Sequence, residues 1–191
     1  MAEIHETQPQ FDVTYRPIYS AVKLCRYASG EYPLFQSPLG QTLISSDADE
    51  RERYDERYTN LREAGRLGHS FGDAHIDKIS VYLTRRVGTI EGGDEQDLQL
   101  ILERCSLVFK IATMEYVAAP LKTFFDHRDV TPYRVKLPEL NDAHGFTLDK
   151  PIAISAYDNI EARLKIHESL RITGQVIVTC VLHATCRREI R

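Results

Sequence analysis

Hydrophobic and polar positions alternate without a break from Gln175 to Cys186, and that period of two predicts a long closing strand. Val176, Val178, Cys180, Leu182, Ala184 and Cys186 fall on one face, and Ile177, Thr179, Val181, His183 and Thr185 on the other. The same period runs through the segment after His75, with Ile79, Val81 and Leu83 set against Lys78, Ser80, Tyr82 and Thr84. It returns in Ile160–Ile166, where Ile160, Ala162, Leu164 and Ile166 face in while Glu161, Arg163 and Lys165 face out. Phe11–Tyr15 also alternates, but Pro17 interrupts before Ile18–Leu24, the pattern of an edge or irregular first strand. Lys150–Ser155 reads as a further strand, and Gln41–Ser45 as a short one.

The period changes once. In Asp94–Cys105 the apolar residues Leu98, Ile101, Leu102 and Cys105 follow helical spacing behind acidic N-terminal positions, which predicts a helix of about three turns. Ser106–Ile111 and Tyr116–Leu121 then form a hairpin that breaks near Ala112–Glu115 and ends at Pro120. Thr173-Gly174 is the turn into the closing strand. Tyr27–Gly40, with two Gly and two Pro, reads as a long loop, and residues 126–147, with Pro132, Pro138 and Gly145, as a second long connection. Gly88, Gly92 and Gly93 are turn glycines before the helix. The most charged window, Asp47–Arg62, predicts a short solvated helix or loop, with an exposed contact surface carrying Tyr54 and Tyr58 as the functional reading.

Together these segments predict a mainly β chain: an antiparallel β-sandwich of jelly-roll type, with about eight strands and one or two short helices. Residues 1–10 are polar and offer no core face, which makes them a flexible N-terminal arm before a single domain over 11–191. With 42% hydrophobic and 27% charged residues in 191, the composition is that of a chain that buries a real core. A net charge of −4, a pI near 6.0 and the lack of a basic run argue against direct nucleic-acid binding. The polar start does not resemble a signal peptide, and no apolar run approaches the roughly 20 residues of a spanning helix, so synthesis in a cytoplasm is expected.

Candidate chemistry is sparse. Cys25, Cys105, Cys180 and Cys186 contain no CxxC pair, and Cys180 and Cys186 stand about 20 Å apart along one extended strand, so free buried thiols are expected. Gly68–His75 is the densest histidine cluster, yet His69 and His75 lack the i, i+2 spacing that a cupin-like metal site on a jelly roll requires. His127, His144 and His167 fall in loops or at a strand end, and His183 lies on the outer face of the last strand. Asp126-His-Arg-Asp129 combines acid and base types but has no second carboxylate that the sequence places opposite it. There is no GxSxG elbow, P-loop or GxGxxG. The expectation is a non-enzymatic protein with no catalytic, cofactor-binding or metal-binding residues and no cofactor. Ten Tyr, seven Phe and no Trp suit protein contacts better than sugar stacking.

The order of segments resembles the jelly-roll capsid proteins of tailless icosahedral, often membrane-containing, bacterial and archaeal viruses. The resemblance runs over about residues 58–190. It rests on Tyr58–Leu67 leading into the strand at Ile76–Leu83, the acidic helix before Ser106–Ile111, Ala118–Leu121, the Ile152 and Ile160–Ile166 strands, and the ending Val181–Ile190. These are patterns of hydrophobicity and turn placement rather than signature motifs. The resemblance implies a structural virion protein, made in the host cytoplasm, that self-assembles into capsomers of an icosahedral shell. Its partners would be further copies of itself and other virion proteins. A weakly acidic subunit without a basic arm suits a shell separated from its genome by an internal membrane or another protein. Two other readings stay open: a ligand-binding or metal-dependent jelly roll, lectin-like or cupin-like, using the 68–75 and 126–129 loops, and a spike or fibre module.

Overall fold

A computed structural model describes residues 11–68, 71–85, 95–125, 130–131, 134–135 and 145–189. The chain forms strands β1 (Phe11–Tyr15), β2 (Ile18–Leu24), β3 (Tyr27–Leu34) and β4 (Asp73–Arg85) before one helix, α1 (Glu95–Arg104). After it come β5 (Cys105–Ile111), β6 (Met114–Pro120), a 3-10 turn at Leu121–Phe124, and the short pair β7 (Val130–Thr131) and β8 (Arg134–Val135). The long strands β9 (Phe146–Ile154), β10 (Ile160–Arg171) and β11 (Val176–Glu189) complete it.

Two antiparallel sheets result. One has the order β1-β11-β4-β9, with β2 following β1 along the same edge of β11; the other has the order β3-β10-β5-β6. The pairing is nested: β2 with β11, β3 with β10, β4 with β9 and β5 with β6. The antiparallel sandwich expected from the alternation is therefore the fold. Its core lies between the sheets, where all six inward positions predicted for the closing strand, from Val176 to Cys186, are buried with Ile79, Val81, Leu83, Ala162 and Leu164. The alternation determines this because a strand packed on one face must bury every second residue. Leu98, Ile101 and Leu102 of α1 join the same cluster, as the helical spacing predicts.

Three local expectations need correction. Tyr27–Leu34 is a strand rather than part of a loop: β3 pairs only with β10, and an edge strand accommodates Gly30, at φ 83°, and Pro33. Gln41–Ser45 is not a strand; it makes only the isolated bridges Thr42↔Arg53 and Lys23↔Ser45. The charged window holds no helix, and Tyr54 and Tyr58 are buried rather than presented. They pack with Leu43 on Ala21 and Ile177, covering part of the outer face of the first sheet. The arm at 1–10, the turn glycines Gly88, Gly92 and Gly93, and most of the 126–147 connection lie outside the described residues.

The cover over the first sheet is held by charge as well as by rings. Lys23 on β2 is buried, and its Nζ contacts the Glu50 carboxylate and lies 3.4 Å from Glu52 Oε2. Tyr58 donates its hydroxyl to Glu52 Oε1 at 2.6 Å, and Tyr54 donates to the Ala21 carbonyl at 2.7 Å. Burial pushes the Tyr54 phenol up to about 12.

Candidate functional site

The lower half of the first sheet's outer face brings together residues far apart in sequence. Strand β4 carries one more residue than β11 between Ile76 and Lys78, a bulge that sets Lys78 opposite His183. His183 Nε2 lies 2.8 Å from Ser80 Oγ, and its Nδ1 meets the Tyr15 hydroxyl from β1. The two rings of that last pair stand 6.1 Å apart, tilted by 33°. Burial, and then Lys78, lowers the pKa of His183, while Asp77 acts in the opposite sense. Burial also lowers the pKa of Lys78.

A serine within hydrogen-bond reach of a neutral histidine is the geometry of an activated nucleophile, and the sequence reading missed it. No local spacing could signal it, because 103 residues separate the pair. Access decides what the pair can do. Ser80 is 1% exposed. Gly145, at φ 149°, lies so close that a Cβ there would stand 2.4 Å from Ser80 Oγ and 2.8 Å from the Ile79 carbonyl oxygen. A substrate carbonyl cannot approach the hydroxyl in this arrangement. The Tyr15–His183–Ser80 line instead fastens β1 to β11 and β4.

The other two histidines among the described residues, His75 and His167, lie on different sheets. His75 is exposed on β4, in register with Thr185 and Ala153. His167 is exposed on β10, with Nε2 2.9 Å from Ser106 Oγ. His69, His127, His144 and the Asp126–Asp129 loop lie outside the described residues. Among the described residues no group of three or more His, Cys, Asp or Glu side chains is arranged to hold a metal ion. The four cysteines are free; Cys105, Cys180 and Cys186 are buried, and Cys25 is half-buried. Burial raises the pKa of each thiol, that of Cys105 to about 12, so at neutral pH they behave as small apolar groups.

Two surface features remain. A shallow groove of about 340 Å³ opens where β1 turns into β2, and its walls include Arg16, Tyr19, Glu56, Asn60, Arg62 and Phe71. Several of its polar groups already serve the fold. Asn60 accepts from the Tyr19 backbone N–H and donates to the Pro17 carbonyl, Tyr19 donates to the Glu56 carbonyl, and the Arg16 guanidinium lies 5.7 Å from the Phe71 ring centroid. The second feature is β1 itself, exposed along its whole length. Phe11, Val13 and Tyr15 form an apolar stripe on the same face as Thr185 and Arg187, and the Arg187 guanidinium stacks 3.7 Å from the Phe11 ring centroid. By contrast, the outer face of the second sheet carries exposed charges. There Glu31 pairs with Arg163 at 3.1 Å and Lys165 at 3.2 Å, which holds its carboxyl below the usual range.

No protein-family model, no curated protein and no solved structure matches this chain.

Proposed function

We propose that this chain is a structural assembly subunit, a single jelly roll that associates with copies of itself in an icosahedral virion shell. The observation that carries the reading is the nested pairing of the two sheets, first strand with last and inward from there, which is the order obtained when two Greek keys fold together as a jelly roll. Sandwiches of this kind act through rigid faces and edges. Of the two serine–histidine contacts among the described residues, Ser80–His183 is sealed and Ser106–His167 lies exposed on the second sheet, and an apolar stripe is left on an edge strand. A ligand-binding jelly roll is the second reading; the groove between Arg16 and Arg62 favours it, since two guanidinium groups on one rim suit an anionic ligand.

The deciding experiment is light scattering with negative-stain microscopy and metal analysis on the same purified sample. Shell-like particles or discrete multimers without stoichiometric metal support the assembly reading. A monomer at every concentration, carrying about one metal ion per chain, overturns it. Tight binding of a small anion by that monomer, lost in Arg62→Ala, would establish the groove instead.

A further inference from the structure

We propose that β1 is a self-recognition edge: two copies join antiparallel through Phe11–Tyr15 about a two-fold axis at Val13, continuing the first sheet from one molecule into the next. This deepens the assembly reading, on which it rests, by naming one contact.

Edge strands expose unpaired backbone groups, and proteins that must avoid joining blunt them. Here the other edges are blunted. Strand β9 carries an excess of three residues against β4 and includes Lys150 and Pro151. Strand β3 contains Gly30 and Pro33 and faces an irregular stretch of β10 between Ile166 and Leu170. Strand β6 has a register shift against β5 and ends at Pro120. The free side of β2 is taken by the chain at 44–46, through Lys23 N–H to the Ile44 carbonyl at 2.9 Å and Ser46 N–H to the Lys23 carbonyl at 2.9 Å. Strand β1 has neither Pro, Gly, Lys nor a bulge, and among the described residues no strand lies beyond it.

The sequence of β1 also says which occupant fits. Phe-Asp-Val-Thr-Tyr reads aromatic, polar, β-branched, polar, aromatic, the same in either direction. In an antiparallel pair centred on Val13, Phe11 faces Tyr15 of the second copy, Asp12 faces Thr14, and Val13 faces Val13. Aromatic cross-strand pairs are favourable, and no like charges meet. Such self-complementarity is what a two-fold interface between identical chains requires.

The area sets the strength. Phe11, Val13 and Tyr15 are 42%, 60% and 59% exposed, which amounts to roughly 300 Å² of side-chain surface per copy. With the backbone added, the contact lies at or below the roughly 1,200 Å² lower bound for stable interfaces. The pair is a weak, reversible dimer of the kind that a shell combines with other contacts.

The test is sedimentation velocity over a wide concentration range on the full chain and on Val13→Lys, with thermal melting to verify that this exposed substitution leaves the fold intact. Wild type should dimerise with concentration, and Val13→Lys should weaken the dimer at least about tenfold by setting like charges face to face. Register is read by disulfide trapping in a Cys25→Ser, Cys186→Ala background, because Thr14 stands opposite the free thiol of Cys186 within the same chain. A mixture of Asp12→Cys and Thr14→Cys should cross-link between the two variants, and Asp12→Cys alone should lag about tenfold. A wild type that stays monomeric, a Val13→Lys protein that dimerises like wild type, or Asp12→Cys alone cross-linking as fast as the mixture would each overturn the proposal. Particles that form regardless of the charge at position 13 would sink this contact and leave the assembly reading standing. A β1 dimer that never builds particles would do the reverse.

Discussion

Replacing Asp97 with Ala should be among the most damaging single changes in the chain, because this carboxylate anchors the turn that launches β11. Asp97 lies in the first turn of α1 and is 2% exposed. It accepts from the Thr173 N–H at 2.9 and 3.0 Å, from the Thr173 hydroxyl at 2.7 Å and from the Gly174 N–H at 3.2 Å. Hydrogen bonds to a charged group contribute about 1.5–3 kcal/mol each, and a buried donor left without a partner costs about 1–3 kcal/mol. Gly174 is buried, whereas Thr173 is exposed enough for water to replace part of what it loses. An anion in the first turn also complements the helix dipole by up to about 1 kcal/mol. Asp97→Ala should therefore cost about 3–4 kcal/mol, which for a chain of this size lowers Tm by roughly 6–15 °C. Asp97→Asn keeps one acceptor oxygen and should cost about 2 kcal/mol, and Thr173→Val removes only the hydroxyl bond, about 1 kcal/mol. Urea titration of the three variants reads the series. Losses below 1 kcal/mol for Asp97→Ala, or Thr173→Val as harmful as Asp97→Ala, would refute the reasoning.

Three further outcomes follow from the geometry. Lys23→Met removes the buried cation from the partly exposed Glu50 and Glu52, of which Glu52 still has Arg57 Nη2 at 3.8 Å, and should cost about 2 kcal/mol in chemical denaturation, with most of the loss recovered when both are also changed to Gln; no recovery would mean that packing rather than charge is responsible. The folded pKa of His183 lies below its ordinary 6.5, so between the two values the unfolded chain binds the extra proton, and stability present above about pH 6.5 is lost as pH falls toward the folded value. Unfolding free energies measured from pH 8 to 5 should fall less steeply in His183→Asn than in wild type, and equal slopes would remove His183 from the account. Ala112, at φ 52° in the exposed β5–β6 turn, holds a conformation that costs an L residue about 1 kcal/mol, so Ala112→Gly should raise stability by about 0.5 kcal/mol after the entropy cost of glycine; a lower Tm would contradict that.

The proposed assembly and the proposed β1 contact meet at one strand, and that strand shows how an exposed apolar stripe can be written in a sequence without being recognised. Phe11–Tyr15 alternates and reads plainly as a strand, yet nothing in its own pattern tells whether Phe11, Val13 and Tyr15 face a core or solvent. Only the placement of β1 at the end of the first sheet, with no second layer over it among the described residues, leaves them exposed. Tyr54 and Tyr58 show the opposite case. They sit in the most charged window of the chain and suggest an exposed patch, but Lys23 from β2 neutralises Glu50 and Glu52 and lets that window settle on the sheet.

What the sequence by itself determined is the part that local periodicity controls. The two faces of β11, the inward set of β10, the apolar face of α1 and the hairpin around Ala112 all follow from how often an apolar residue recurs, because a strand or helix with one buried side repeats its burial with its own geometry. Tertiary structure alone decided the rest. It made Tyr27–Leu34 an edge strand despite Gly30 and Pro33, set Ser80 against His183 and sealed the pair beneath Gly145, and tied Asp97 to the turn before β11. Each of these depends on partners dozens to more than a hundred residues away, and a contact made by chain crossing leaves no periodic trace in either of the segments it joins.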